Sequence, residues 1–417
     1  MEILNRNFTN YREKRMSINF KELADKYQTP YYVYDFDYIT DRYNELKGAF
    51  KARKSLVAYA VKANSNLSVI KHLANLGAGA DCVSIGEVKR ALKVGIQPYK
   101  IIFSGVGKID SEIKQALELG ILMINVESDA ELNRVEAIAK ELGVVARISI
   151  RVNPNIDPQT HPYISTGLHE NKFGVDIDTA KRMYIQCKNS ENLEPTGIHL
   201  HIGSQLTQLE PIKESVKIVA DLVRNLKAIK IELNFFDVGG GLGIVYKDEK
   251  LIDTNEYAQV ILEALFGLDL TIVCEPGRFL VGNSGTFITK VLYEKVNGNK
   301  RFVIVDGAMN DLIRPSLYNA YHKVEVLNDN KEFSDCNLVG PVCESGDFFA
   351  KNIQLPKTQH NDLVAVYSAG AYCFTMASNY NTRGKVAEIA IENGVDRLIR
   401  KRETFEDLIS LEEEYIK

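Results

Sequence analysis

LVAYAVKANSNL, residues 56–67, is an apolar run closed by a lysine. The first six residues read as a buried strand, and a helix pattern starts after Asn66. A lysine at the mouth of an apolar strand must be paired, solvated or put to use. Working outward from this stretch, similar runs recur: AGADCV (78–83), KIIFSG (100–105), ILMINV (121–126), RISIRV (147–152), GIHLHI (197–202), FFDVGG (235–240) and LTIVCE (270–275). Between most of them lie amphipathic segments such as SVIKHLANL, GEVKRALKV, SEIKQALEL and DAELNRVEAIAKEL, several ending at glycine, as helices commonly do. Eight continuous apolar strands separated by helices predict an α/β fold, a (β/α)8 TIM-like barrel whose sheet is covered on both faces.

The texture changes after about residue 280. GTFITKVLYEKV, RFVIVDGA, NLVGPVCES and DLVAVYSAG are strand-like runs without regular helices between them, which predicts a separate C-terminal β domain, sandwich-like or barrel-like. The expected division is a barrel over 35–280 and a β domain over 281–417 joined by residues 1–34. A long Pro-, Asn- and Gly-rich stretch, NPNIDPQTHPYISTGLHENKFG, separates the fifth and sixth strands, and loops of that length are commonly functional. Nothing before Met16 patterns as structure, so Met16 is a candidate alternative start.

Bulk properties narrow the function. The 417 residues are 45% apolar and 25% charged, an ordinary globular balance. A formal net charge of −4 argues against a nucleic-acid binder. No stretch approaches the roughly 18 apolar residues of a membrane span, and the polar start lacks a signal-peptide core. Six cysteines without CxxC or framework spacing read as reduced thiols of a cytoplasmic protein, and no metal site is expected.

In a TIM-like barrel, chemistry gathers at the C-terminal ends of the strands, often with a phosphate site after strands seven and eight. The strand ends here carry Lys62, Asp81 with Ser84, Ser104, Glu127, Arg151 with Asn153, His201 with Ser204, Gly239-Gly240-Gly241, and Glu275 with Arg278. Glycine amides can approach an anion closely. A phosphate site, a lysine and a carboxylate on one rim suggest pyridoxal 5′-phosphate (PLP), with the lysine as Schiff-base partner and the carboxylate at the pyridinium nitrogen. Taken singly, each feature has a plainer reading. The lysine can be a surface charge, GGG a flexible turn, Glu275 a partner of Arg278, and one of His199 and His201 an ordinary core histidine. Co-location at one end of one barrel favours the functional reading.

AYAVKAN (58–64), HPYISTGLHENKFG (161–174), HLHIGSQ (199–205), DVGGGLGI (237–244), CEPGR (274–278), RPSLY (314–318), GPVCESGD (340–347) and GAYCFTMASNYN (370–381) carry a resemblance over most of the chain. The sequence resembles the diaminopimelate decarboxylases, within the alanine-racemase-like (fold type III) PLP-dependent decarboxylases. The resemblance implies that Lys62 is the PLP lysine and that His201 stacks on the cofactor ring. Ser204, Gly239, Gly240 and Gly241 would hold the phosphate, with Gly277, Arg278 and Tyr372 also at the cofactor, and Glu275 would pair with the ring nitrogen. Arg278, Arg314 and Tyr318 are similar to residues that grip the substrate's distal carboxylate. Glu344 would take the distal ammonium, Tyr372 would touch substrate, and Cys343 would be the proton donor. RGKVAEI (383–389) departs from the family, which typically has an Arg-Pro pair there.

The implied reaction is decarboxylation of meso-2,6-diaminopimelate to L-lysine and CO2, by a homodimer whose active sites are shared across the interface. Within the class, the rivals are decarboxylases of ornithine, lysine or carboxynorspermidine, which typically lack the CES triplet at 343–345. An amino-acid racemase would use a tyrosine as its second base. A non-catalytic PLP-binding homologue would have no reason to keep Lys62, Glu275 and Cys343 together.

Overall fold

The computed structural model describes residues 18–157 and 172–416. Met16 and most of the 161–174 motif lie outside the described residues. The chain divides into two units, one over residues 38–283 and one combining the described residues up to Asp37 with Ser284 onward.

Strand β1 (Tyr31–Asp35) belongs to the second unit. The first unit is the barrel. Among the described residues its strands are β2 (Ser55–Ala60), β3 (Gly79–Cys82), β4 (Ile101–Phe103), β5 (Met123–Val126), β6 (Ala146–Arg151), β7 (Leu193–His199), β8 (Phe235–Asp237) and β9 (Thr271–Cys274). They pair in sequence order, all parallel, and close where β2 meets β9 with Leu56 opposite Val273. Each falls within or beside an apolar run read from the sequence, because a strand covered on both faces needs apolar residues at every position. Ala58, Ile102, Met123 and Val273 pack together among the strands.

The helices between the strands follow local rules. Asp129–Leu142 starts where Ser128 Oγ accepts from the Glu131 amide at 3.1 Å and stops at Gly143, which takes the left-handed conformation at φ +66°. Glu210–Ala228 buries Ile212, Val216, Val219, Val223 and Leu226, a stripe at helical spacing. No described helix is long and apolar enough to cross a membrane.

Among the described residues the second unit is a mixed sheet of nine strands: β1, β10 (Gly285–Asn297), β11 (Lys300–Val305), β12 (Val324–Val326), β13 (Phe333–Val339), β14 (Phe348–Pro356), β15 (Leu363–Tyr367), β16 (Ala387–Glu392) and β17 (Val395–Arg400). Strand β10 pairs with β1, β11 and β15, shifting register between Val291 and Tyr293. Strand β1 sits between β10 and β16, antiparallel to one and parallel to the other. Its alternation sends Tyr31 and Val33 into a core with Ile288, Ala365 and Ile389, while Tyr32 packs on Phe287 with ring centroids 4.9 Å apart.

Candidate active site at the barrel rim

Strand β2 ends at Ala60, and Lys62 falls in a single 3-10 turn, Val61–Ala63. The AYAVKAN stretch fixes that turn from within. The Tyr59 hydroxyl, fully buried, donates to the Asn64 carbonyl at 2.9 Å, and the Ala60 amide donates to the Pro276 carbonyl in the EPGR turn. Lys62 Nζ lies 2.8 Å from Asp81 Oδ2 at the end of β3. The carboxylate is fully buried and the lysine side chain 38% exposed, so the ammonium reaches out from a dry anchor. Burial raises the Asp81 pKa, the charge of Glu275 adds to this, and Lys62 opposes both. The lysine is therefore paired, and its pairing holds it at the rim.

Glu275 follows β9 and is buried. His199, the last residue of β7, has Nε2 at 3.2 Å from Glu275 Oε2, an ion-pair distance rather than an aligned hydrogen bond. Asp237, the last residue of β8, completes a buried trio whose ligand-capable atoms lie within 4.8 Å of one another. Burial opposes the charge of Glu275, yet His199, Lys62 and Asp237 outweigh it and hold the carboxyl below the ordinary range. His199 is thus no ordinary core histidine. Nor does Glu275 take Arg278 as its ion-pair partner. The Arg278 guanidinium donates from Nη1 to the Tyr246 hydroxyl at 2.6 Å and from Nη2 to Ser204 Oγ at 3.1 Å.

His201 lies beyond the end of β7. Its Nδ1 accepts from the Gly240 amide at 3.1 Å, which leaves the ring proton to Nε2. Burial, with the nearby cations Arg151 and Lys62, pushes its pKa well down, so the ring is neutral. The three glycines explain themselves by close approach. A Cβ on Gly239 would stand 2.4 Å from the Leu200 carbonyl oxygen, on Gly240 2.2 Å from that of Glu275, and on Gly241 2.3 Å from that of Gly203. Only a chain without side chains threads between those backbones. The Gly239 amide donates to Asp237 Oδ1 and the Gly240 amide to His201. Two of the three amides read as phosphate donors are thus engaged within the protein. Gly277 is buried and precedes the short helix Arg278–Val281.

The remaining rim residues support rather than face this cluster. Ser84 caps the helix Ile85–Lys93. Arg151 Nη1 contacts both oxygens of Glu127 at 3.1 and 3.2 Å and stacks 4.7 Å from the Phe173 ring, while Glu127 Oε2 also accepts from the Gly174 amide. Asn153 accepts from the Asn155 amide.

The other expected site residues belong to the second unit. Cys343 and Glu344 are exposed on the loop between β13 and β14. Buried Asp347 organises that loop by accepting from the Met309 and Val342 amides, each at 2.7 Å, and the Asn381 side chain accepts from the Cys343 amide. Glu344 is hydrogen-bonded by Tyr380. Arg314 is buried with Nη1 3.0 Å from His322 Nε2, and His322 Nδ1 faces the Tyr367 carbonyl at 2.9 Å. Arginine can only donate, so His322 carries its proton on Nδ1. Tyr318 is half-buried near the end of the same short helix, Arg314–Tyr318. Tyr372 holds φ +58°, an uncommon conformation for a bulky residue and a feature that clusters at functional sites. Sequence reasoning missed the parts played by Asp237 and Tyr246. A polar residue closing FFD and a tyrosine just past the glycines were the available signals.

A parallel barrel whose rim carries a lysine, a buried acid, a neutral imidazole and a glycine-tight loop defines a pyridoxal-dependent barrel enzyme. Residues 36–282 match the family described as pyridoxal-dependent decarboxylase, pyridoxal binding domain. Over 401 residues the chain is 61% identical to diaminopimelate decarboxylase of Campylobacter jejuni, covering 96% of this chain and all of that one. It is 57% identical to the Helicobacter pylori enzyme of the same name over 94% of this chain and 98% of that one. A crystal structure of the H. pylori enzyme complexed with L-lysine superposes with a TM-score of 0.93 at 56% identity, covering 95% of this chain and 100% of that one. The chain belongs to the diaminopimelate decarboxylase family. PLP is its cofactor, and the residues present fit it. Lys62 supplies an amine, Glu275 Oε1 is buried and accepts no hydrogen bond among the described residues, and Ser204 with the Arg278 guanidinium brings together polar groups that would suit an anion.

Proposed function

We propose that this protein is a carboxy-lyase that decarboxylates meso-2,6-diaminopimelate to L-lysine and CO2. The buried acid Glu275, held anionic at the same strand ends that present Lys62, carries the reading. The names of the relatives and the L-lysine in the H. pylori structure supply the substrate. PLP, when bound, supplies the electron sink for the pair released as the Cα–carboxylate bond breaks.

The protein's own groups do the rest. Lys62 offers its Nζ as the attachment point, oriented by Asp81. Glu275 holds the proton on the ring nitrogen, and its low pKa keeps it anionic for that task. His201 presents a neutral face for stacking, its tautomer set by Gly240. Ser204, the Gly241 amide and Arg278 hold the phosphate, with Gly239, Gly240 and Gly277 shaping the cradle. Arg278, Arg314 and Tyr318 take the distal carboxylate, Glu344 takes the distal ammonium, and Tyr372 contacts cofactor and substrate. Lysine and ornithine lack the second carboxylate, and so would offer these guanidinium groups no anion to bind. Cys343 delivers a proton to Cα after CO2 has left.

The working unit is a homodimer in which the loop bearing Cys343 and Glu344 serves the partner's barrel. Exposure of both residues on a firmly anchored loop supports this. Six free cysteines support a reducing, cytoplasmic setting. Incubation with meso-diaminopimelate and PLP should yield L-lysine and CO2, with far less CO2 from lysine or ornithine. Equal release from all three would overturn the substrate assignment.

A further inference from the structure

Asp237 is a buried acid with no part in the chemistry above. It is 0% exposed, and it is placed between two functional elements. Its Oδ1 accepts from the Gly239 amide at 2.9 Å, at the start of the glycine loop. Among the described residues its Oδ2 is buried without a donor, as is Glu275 Oε1, and the two carboxyls belong to the same tight trio with His199. Two carboxylates in contact in a dry interior cannot both be ionised, so one holds a proton.

The surroundings decide which one. Glu275 has His199 at 3.2 Å and the Lys62 ammonium nearby, both favouring its charge. The main charges acting on Asp237 are the carboxylates Glu275 and Asp81. Facing it are Glu275 and Cys274 at the end of β9, Asp81 from β3, and Tyr257 from the helix Thr254–Ala264, with His199 at the end of β7. All but His199 are acids, and His199 is aimed at Glu275. Burial first, and then the charge of Glu275, raise the Asp237 pKa well above the carboxylate range.

We propose that Asp237 is a neutral positioning residue whose protonated Oδ2 donates to Glu275 while Oδ1 fastens the glycine loop. One side chain thereby ties the acid for the ring nitrogen to the loop that cradles the phosphate. The inference rests on the PLP reading above. A carboxylic acid kept neutral by its site so that it can donate a hydrogen bond is an established device.

The asparagine variant separates this from an ionised aspartate. Asp237→Asn keeps an acceptor for Gly239 and a donor for Glu275, whereas Asp237→Ala loses both. Apoprotein of wild type and of each variant is titrated with PLP, following the visible absorbance of the bound cofactor, from pH 5 to 8. The affinity of Asp237→Asn should stay within about threefold of wild type, while Asp237→Ala should weaken by about tenfold or more, as loss of a hydrogen bond to a charged group implies. Losing the donor raises the Glu275 pKa, so the acid limb of the Asp237→Ala affinity profile should move to higher pH. The limb of Asp237→Asn should stay where wild type has it. A structural defect alone would weaken binding equally at every pH and would overturn the proposal. So would an Asp237→Asn protein as weak as Asp237→Ala, which would mean that a negative charge is required. Should Asp237→Ala fail to fold, a tenfold loss in Asp237→Asn still overturns it. Wild-type protein that takes up no PLP would bring down the functional reading itself.

Discussion

The barrel rim and the loop between β13 and β14 solve the same problem differently. At the rim, the functional groups sit at strand ends and each is held by a second group: Lys62 by Asp81, Glu275 by His199, His201 by Gly240 and Arg278 by Tyr246. On the loop, Cys343 and Glu344 are exposed, and firmness comes from beneath, through Asp347. A cofactor that stays bound suits a rigid, desolvated seat. Groups that meet each incoming substrate suit a loop on a fixed base. The difference teaches that lesions at the rim should strike the cofactor, and lesions on the loop should spare it.

The sharpest break of that contrast is Lys62→Ala. Activity should fall on the order of 10³-fold or more, as for removal of a covalent catalytic group. Borohydride reduction of wild-type holoenzyme should place the pyridoxyl mass on the peptide containing Lys62, and a label on another lysine would remove it from the site. Next in size is a mixing experiment. Lys62→Ala and Cys343→Ala should each be nearly inactive, yet only the second should keep bound PLP. If the loop serves a partner, subunit exchange makes half the dimers mixed, each with one intact site. About a quarter of wild-type activity then returns, by counting on a two-fold dimer. No recovery, with exchange demonstrated by native mass spectrometry, would confine each site to one chain.

Arg314→Ala is a smaller lesion of the second unit. Loss of one buried charged partner is typically worth about 2–5 kcal/mol, so kcat/KM for diaminopimelate should fall roughly 30-fold or more while PLP affinity holds. Arg314→Lys should recover little, because a compact ammonium does not reproduce the planar fork now set by His322. An unchanged kcat/KM would take Arg314 out of the site.

Much of this was legible in residue order. Every barrel strand showed as an apolar run, because burial on both faces leaves a local signature. Strand β1 did not announce its place. YYVYD is plainly strand-like, but its pairing with β10 and β16 joins residues some 250 or more positions apart, which no local pattern encodes. The run NLVGPVCES divided in the same way: its first three residues end strand β13, while CES belongs to the loop folded over Asp347. Within the site, single residues at strand ends were readable and their pairings were not. Asp81 and Lys62 are 19 residues apart and meet only because adjacent barrel strands end together. Asp237 looked like the polar end of a strand, and its meaning depends on Glu275 across the β8–β9 pair.

The smallest expected effect tests the contrast through a buried acid of the second unit. Asp311 is 1% exposed, accepts from the Ala308 amide at 2.9 Å and lies 3.7 Å from Arg383. Burial raises its pKa to about 6, with Ala308 and Arg383 only partly offsetting the cost of ionising it. An unfolded aspartate titrates near 3.9. Between about pH 4 and pH 6 the folded protein therefore binds this proton more tightly than the unfolded chain does. The resulting stabilisation is fully present below about pH 4 and is lost as the pH rises through about 6. Asp311→Asn cannot lose a proton, so its Tm should fall less than that of wild type across this window, by roughly 2–4 °C. PLP affinity should be the same in both proteins at every pH. Parallel Tm profiles would show that Asp311 does not titrate in this window. A shift in PLP affinity alongside Tm would break the division of labour between the barrel rim and the second unit.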